Sequence, residues 1–359
     1  LSRQVGDKAG EAATLNNIGG VYNALGDRQT ALDFYNQSLP LSRQVGDKAG
    51  EATTLTSIGN VYNALGDRQT ALDFYNQSLP LRRQVGDIAG EAATLTGIGN
   101  VYSALGDRQQ ALDFYNQSLP LSRQVGDKAG EAATLNNIGG VYNALGDRQT
   151  ALDFYNQSLP LSRQVGDKAG EAGTLNNIGL VYDALGDRQT ALDYFNQSLP
   201  LRRQVGDKAG EATTLTSIGN VYNALGDKQT ALDYYNQSLP LSRQVGDKAG
   251  VAVTLSNIGL VYDALGDKQT ALDYFNQSLP LSRQVGDKAG EATTLNNIGR
   301  VYDDLGDKQQ ALDYYNQSLP LTRQVGDKAG EAVTLNNIGC VYSALGDSQT
   351  ALDFYNQSL

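Results

Sequence analysis

The stretch Gly6-Asp7-Lys8-Ala9-Gly10-Glu11-Ala12-Ala13-Thr14-Leu15-Asn16-Asn17-Ile18-Gly19-Gly20-Val21-Tyr22-Asn23-Ala24-Leu25-Gly26-Asp27 decides the fold. It opens and closes on Gly-Asp, and the pair returns as Gly46-Asp47. Glycine stops helices because the residue after the last turn often takes positive φ. Aspartate starts them, since its carboxylate accepts an orphan N–H of the first turn. A Gly-Asp pair every twenty residues therefore ends one helix and opens the next. The segments between, Lys8 to Leu25 and Arg28 to Val45, are eighteen residues each, about 27 Å of helix.

In the first segment Ala12, Leu15, Ile18, Gly19, Tyr22 and Leu25 recur at three- and four-residue spacing as an apolar stripe. In the second, Ala31, Leu32, Tyr35, Ser38, Leu39, Leu41 and Val45 do the same, with Phe34 beside them. Neither helix can bury its stripe alone, whereas a hairpin stacked on the next hairpin can. Gly19 sits mid-helix, where glycine costs about 1 kcal/mol relative to alanine; it marks a close approach, with Ala31 facing it. Pro40 lies inside the second segment, removes one backbone hydrogen bond and disfavours helical geometry at Leu39. The helix either kinks there or breaks, and the helical pattern continuing through Leu41 and Val45 favours the kink.

Outward from this stretch the chain is one sentence repeated. Its 359 residues divide into units 1–40, 41–80, 81–120, 121–160, 161–200, 201–240, 241–280, 281–320 and 321–359, and residues 1–40 are identical to 121–160. There is no histidine, which removes Ser-His-Asp and Cys-His nucleophiles, His-ligated metals and His pH switches. Cys340 stands alone, without a disulfide partner or the makings of a thiolate metal site. The net charge of −11 is spread evenly, with no basic repeat, so the chain carries no footprint for nucleic acid or an anionic membrane. No apolar run approaches the roughly eighteen residues of a membrane span. The absence of methionine, even at position 1, is read as a fragment or a processed product. Asp7 and Asp27 read as caps rather than paired catalytic carboxylates, and the sequon Asn36-Gln37-Ser38 falls inside a helix. The chain is expected to be no enzyme, to need no cofactor or metal, and to act in the cytoplasm through a surface.

Leu15-Asn16-Asn17-Ile18-Gly19-Gly20-Val21-Tyr22, followed by Gly26, Ala31 and Tyr35, resembles the tetratricopeptide repeat (TPR) signature, nine times over. Two departures stand out. The period is forty rather than thirty-four, and the proline falls three residues before the family's usual place, here Arg43. The long period and the Thr-Leu-Asn-Asn-Ile-Gly string are similar to kinesin light chains and their bacterial look-alikes, and to arrays attached to caspase-like CHAT or NTPase domains. The resemblance implies an all-α, right-handed superhelical solenoid of nine forty-residue helix-turn-helix units, forming a single array over residues 1–359.

Comparing the repeats with one another locates the variation. Repeat positions 13, 16, 17, 20 and 23 change most, and their spacing puts them on one face of the first helix. By the resemblance this face lines a concave groove where extended peptides bind. Its expected members are Asn17, Asn137, Asn177, Asn257, Asn297 and Asn337 at position 17, and Asn60, Asn100, Asn220 and Arg300 at position 20. Asp183, Asp263 and Asp303 stand at position 23. An amide both donates and accepts, which suits a peptide backbone. Exposed Gln29, Asp33 and Gln37 do not vary, which argues against simple drift on the first-helix face. With Asp304, the aspartates make the C-terminal half of the groove acidic, so the partner expected is a protein or extended peptide, neutral or basic. The alternative is a regulatory or sensing array cut from a larger bacterial signalling enzyme. Leu1–Val5 read as the tail of a second helix, and the unpartnered ends suggest head-to-tail self-association.

Overall fold

In a computed structural model the structure describes residues 6–359, so the expected helix tail at 1–5 lies outside the described residues. Among the described residues eighteen helices follow in chain order. They are α1 (Lys8–Ala24), α2 (Arg28–Val45), α3 (Lys48–Leu65), α4 (Arg68–Val85), α5 (Ile88–Leu105), α6 (Arg108–Gln124), α7 (Lys128–Ala144), α8 (Arg148–Val165) and α9 (Lys168–Ala184). Then come α10 (Arg188–Val205), α11 (Lys208–Leu225), α12 (Lys228–Gln244), α13 (Lys248–Ala264), α14 (Lys268–Val285), α15 (Lys288–Asp304), α16 (Lys308–Val325), α17 (Lys328–Ala344) and α18 (Ser348–Ser358). They form nine helix-turn-helix repeats, all α. Contacts group the chain into two compact units, Leu1–Val181 and Tyr182–Leu359.

The Gly-Asp pairs act as read. Asp7 Oδ1 accepts from Gly10 N at 2.9 Å and Asp27 Oδ1 from Thr30 N at 3.1 Å. Gly46, with φ at 72°, closes α2 in the left-handed region. Pro40 does not break α2, which runs unbroken to Val45. Pro40 and Asn36, whose carbonyl would have received the missing bond, are both exposed, so water can serve that carbonyl.

Within each unit the core lies between repeats rather than inside one. Ala31, Leu32, Tyr35 and Leu39 of one second helix cluster with Leu55, Ile58 and Val61 of the following first helix. Leu352 shows what the neighbour contributes: it is 54% exposed, where its equivalents from Leu32 to Leu312 are 4–8% exposed. Fully burying such a side chain is worth about 1.5–3 kcal/mol. Two stripe residues are corrected. Leu25 and Val45 are 75% and 43% exposed, because they sit at helix ends beside the turns. The close approach at Gly19 holds, but its partner is Tyr35 rather than Ala31. A Cβ on Gly19 would meet the Tyr35 ring at 2.6 Å. Buried Ser38 donates to the Ala12 carbonyl at 2.8 Å, which ties the two helices of the hairpin.

Candidate functional site

On the first-helix face the polar residues form a ladder that steps from one repeat to the next. At position 16 a hydroxyl does the work: Thr96 Oγ1 lies 2.8 Å from Ser118 Oγ of its own second helix and 3.2 Å from Thr134 Oγ1 of the next repeat. Thr56 and Thr216 repeat the arrangement. Where position 16 is asparagine, the amide oxygen substitutes. Asn136 Oδ1 accepts from Thr174 Oγ1 at 3.2 Å and Asn177 Nδ2 at 3.1 Å, and Asn296 Oδ1 accepts from Asn337 Nδ2 at 3.2 Å. At position 20, Asn60 Oδ1 accepts from Tyr75 OH at 2.6 Å. Asn100 Oδ1 takes both Tyr115 OH at 2.7 Å and Asn137 Nδ2 at 2.9 Å. Asn220 does the same with Tyr235 and Asn257. Burial pushes the Tyr75 phenol up to about 12, so it stays a donor at neutral pH.

Three of the expected residues come together. Asn100, Asn137 and Asn177, with Asn136, Ser103 and Tyr115, line an open depression of about 350 Å³. Gly140, which also lines it, contributes no side chain where Asn100 and Asn220 carry amides. The ladder fixes which way each amide points, because the assignment of O and N follows from its partners. With Asn100 Oδ1, Asn136 Oδ1, Asn137 Nδ2 and Asn177 Nδ2 engaged, the opposite amide atoms make no hydrogen bond among the described residues. Two donors and two acceptors are thus left over at one place. Asn17 is exposed and lines a smaller depression with Asn16. Asn297 is buried, and its Nδ2 has no partner among the described residues. The preceding repeat offers Ser256 and Leu260 where other repeats offer asparagine.

The tetratricopeptide repeat profile matches residues 10–84, 90–164, 130–204, 170–244, 210–284, 250–324 and 292–359. The chain belongs to the tetratricopeptide repeat family. No curated protein matches it in sequence. Among solved structures, the apo form of the quorum sensor NprR from B. thuringiensis is similar at 18% identity and a TM-score of 0.71, over 99% of this chain and 98% of that one. A Rap protein complexed with competence and sporulation factor gives 13% identity and a TM-score of 0.68, over 98% and 97%. The bacterial kinesin light chain BtubC from P. vanneervenii gives 19% identity and a TM-score of 0.52, over 57% and 86%. At these identities the likeness is one of fold.

The acidic groove expected of the C-terminal TPRs is corrected by pairing. Asp263, 4% exposed, sits 2.6 Å from Lys268 Nζ and 2.5 Å from Arg300 Nη2. Lys268 also reaches Asp304 at 2.5 Å, and Lys308 pairs with Asp303 at 2.5 Å. In these two repeats position 23 is therefore a turn clamp, holding the first basic residue of the second helix; Asn63 with Arg68 and Asn223 with Lys228 do the same. Arg300, the one cation expected in the groove, is spent on Asp263. Asp183 has its carboxyl pushed up by burial, with Arg188 opposing.

Sequence reasoning passed over two features of these TPRs. Each repeat stacks two rings in parallel, Tyr22 on Phe34 at 5.4 Å through Tyr342 on Phe354 at 5.6 Å. The invariance of Gln29, Asp33 and Gln37 was also readable, since i to i+4 spacing pairs them. Gln29 Nε2 donates to Asp33 Oδ1 at 3.3 Å and Gln37 Nε2 to the Asp33 carbonyl at 3.0 Å. Their constancy reflects helix-surface bonds, so the contrast with the variable face carries less than the sequence reading gave it.

Proposed function

We propose that this TPR chain binds a protein or extended peptide along its first-helix face, centred on Asn100, Asn137 and Asn177. The observation that carries this reading is the depression of about 350 Å³ whose amides are oriented by the ladder while half of each stays unused. An extended backbone presents N–H and C=O groups in alternation, and prefixed amides meet them at low entropic cost. The other expected members, Asn17, Asn60, Asn220, Asn257, Asn297 and Asn337, extend the contact along the face within their own units. Because Asp263, Asp303 and Asp304 are already neutralised, a neutral segment suits the face better than a strongly basic one. The fold it shares with a quorum sensor and with a Rap protein solved in complex with a factor supports a ligand-binding role.

Nine-residue peptides selected from a displayed library, then remade with N-methylated backbone positions, test this directly. Methylation at the positions facing the amides should weaken binding at least tenfold. Undiminished binding by fully N-methylated peptides would sink backbone recognition.

A further inference from the structure

On the opposite side of the first helices a three-residue clamp recurs. Glutamate stands at position 11 of every repeat but one. Arg43, Arg83, Arg123, Arg163, Arg203, Arg283 and Arg323 each place Nε 2.6–2.8 Å from the glutamate eight residues on. In four repeats a lysine three residues before the glutamate adds a second contact, as Lys288 does to Glu291 at 2.9 Å. The glutamates are sunk to 8–18% exposure, so the clamp is partly buried.

The exception is Val251. Arg243 and Lys248 keep their places, yet neither side chain makes an ion pair or hydrogen bond among the described residues. Val251 itself turns into the core beside Leu255 and Leu239. Where the glutamate would lie, the structure has an open cavity of about 600 Å³ lined by Arg243, Lys248, Val251, Leu255, Pro280 and Leu281. This volume falls in the range of small-molecule sites, which are mostly apolar with a few placed polar groups. Two cations positioned for a carboxylate, above an apolar wall and without a carboxylate of their own, define the complement.

We propose that the seventh repeat binds a small organic monocarboxylate with an apolar body. Its carboxylate sits between Arg243 and Lys248, where the other repeats hold glutamate, and its body lies on Val251, Leu255, Pro280 and Leu281. The site is independent of the amide face and needs no peptide ligand.

The test is calorimetric titration of the chain with 4-phenylbutyrate and with its neutral amide. The acid should saturate at one site per chain and the amide should bind at least tenfold more weakly. Val251→Glu supplies the carboxylate internally and should cut affinity at least tenfold, as should Arg243→Gln, which leaves the pocket wall intact. The eighth repeat has the same lining except for Glu291, so Glu291→Val should raise the stoichiometry to two. Circular dichroism confirms that each variant is folded. No saturable binding of the acid by the wild-type chain, equal affinity for acid and amide, or unchanged binding by folded Val251→Glu would overturn the proposal.

Discussion

The seam between repeats and the amide face share the same first helices, yet one is nearly constant and the other drifts. Inside the hairpin Gly139 lies under Tyr155, where a Cβ would meet the ring at 2.7 Å, and at the seam Glu131 is held by Arg123 of the preceding helix and by Lys128. Glycine stands at position 19 in all nine repeats, and glutamate at position 11 gives way once, to Val251. On the face, position 16 is threonine, asparagine or once Ser256, and both Thr96 and Asn136 present an oxygen to the next repeat. Variation is therefore tolerated where several side chains satisfy the same hydrogen bond. It is least constrained at position 20, where Gly140, Leu180, Leu260, Arg300 and Cys340 stand in for asparagine. The seam builds the array, and the face carries what distinguishes one stretch from another.

The largest effect should come from hollowing the seam. Tyr235→Ala removes a ring with no exposure that also holds Asn220, and should cost about 3–5 kcal/mol of local stability. Hydrogen exchange by mass spectrometry should show the loss concentrated in the repeats sharing that core. Gly139→Ala comes next, at about 1–3 kcal/mol, from forcing the Tyr155 ring aside; an unchanged urea midpoint would mean the ring can move freely.

The clamp should show itself through pH. In Glu131, Glu211 and Glu291 burial pushes the carboxyl up, but hydrogen bonds and charge from the paired arginine and lysine outweigh it, leaving each below its ordinary value. A carboxylate depressed in the folded state stabilises fully above its unfolded pKa, about 4.3, and loses that contribution as pH falls through the folded value. Replacing the three by glutamine should lower the stability at pH 7 by about 1 kcal/mol per site, read as a lower melting temperature. The gap from wild type should narrow below about pH 4. A gap that is constant with pH would assign the loss to packing.

The smallest effect belongs to the face. Asn137→Ala and Asn177→Ala each remove one part-exposed amide bond, which should cost about 0.5–1 kcal/mol. A larger loss would make the ladder part of the seam and break the contrast.

The helices, their turns and most of the core were legible because Gly-Asp and the apolar spacing are local signals, repeated nine times. The exposure of Leu25 and Val45 was not, since periodicity carries both past the point where the helix leaves its neighbour. Spacing brought the asparagines to one face, but their partners are about forty residues away, as Asn137 is from Asn100. No local pattern distinguishes a free amide from a rung. The apparent acidity of Asp263, Asp303 and Asp304 misled for a related reason: Lys268 and Lys308 reach back across the turn to cancel it.

The division of labour between seam and face comes down to one comparison. Peptides selected on the wild-type chain are titrated against a triple Asn100, Asn137, Asn177→Ala variant and a triple Gln77, Gln117, Gln157→Ala variant, with melting curves recorded for both. The account predicts a loss of affinity of at least tenfold for the first and less than twofold for the second, with both still cooperatively folded. Equal losses in the two variants, or a loss confined to the glutamines, would contradict it.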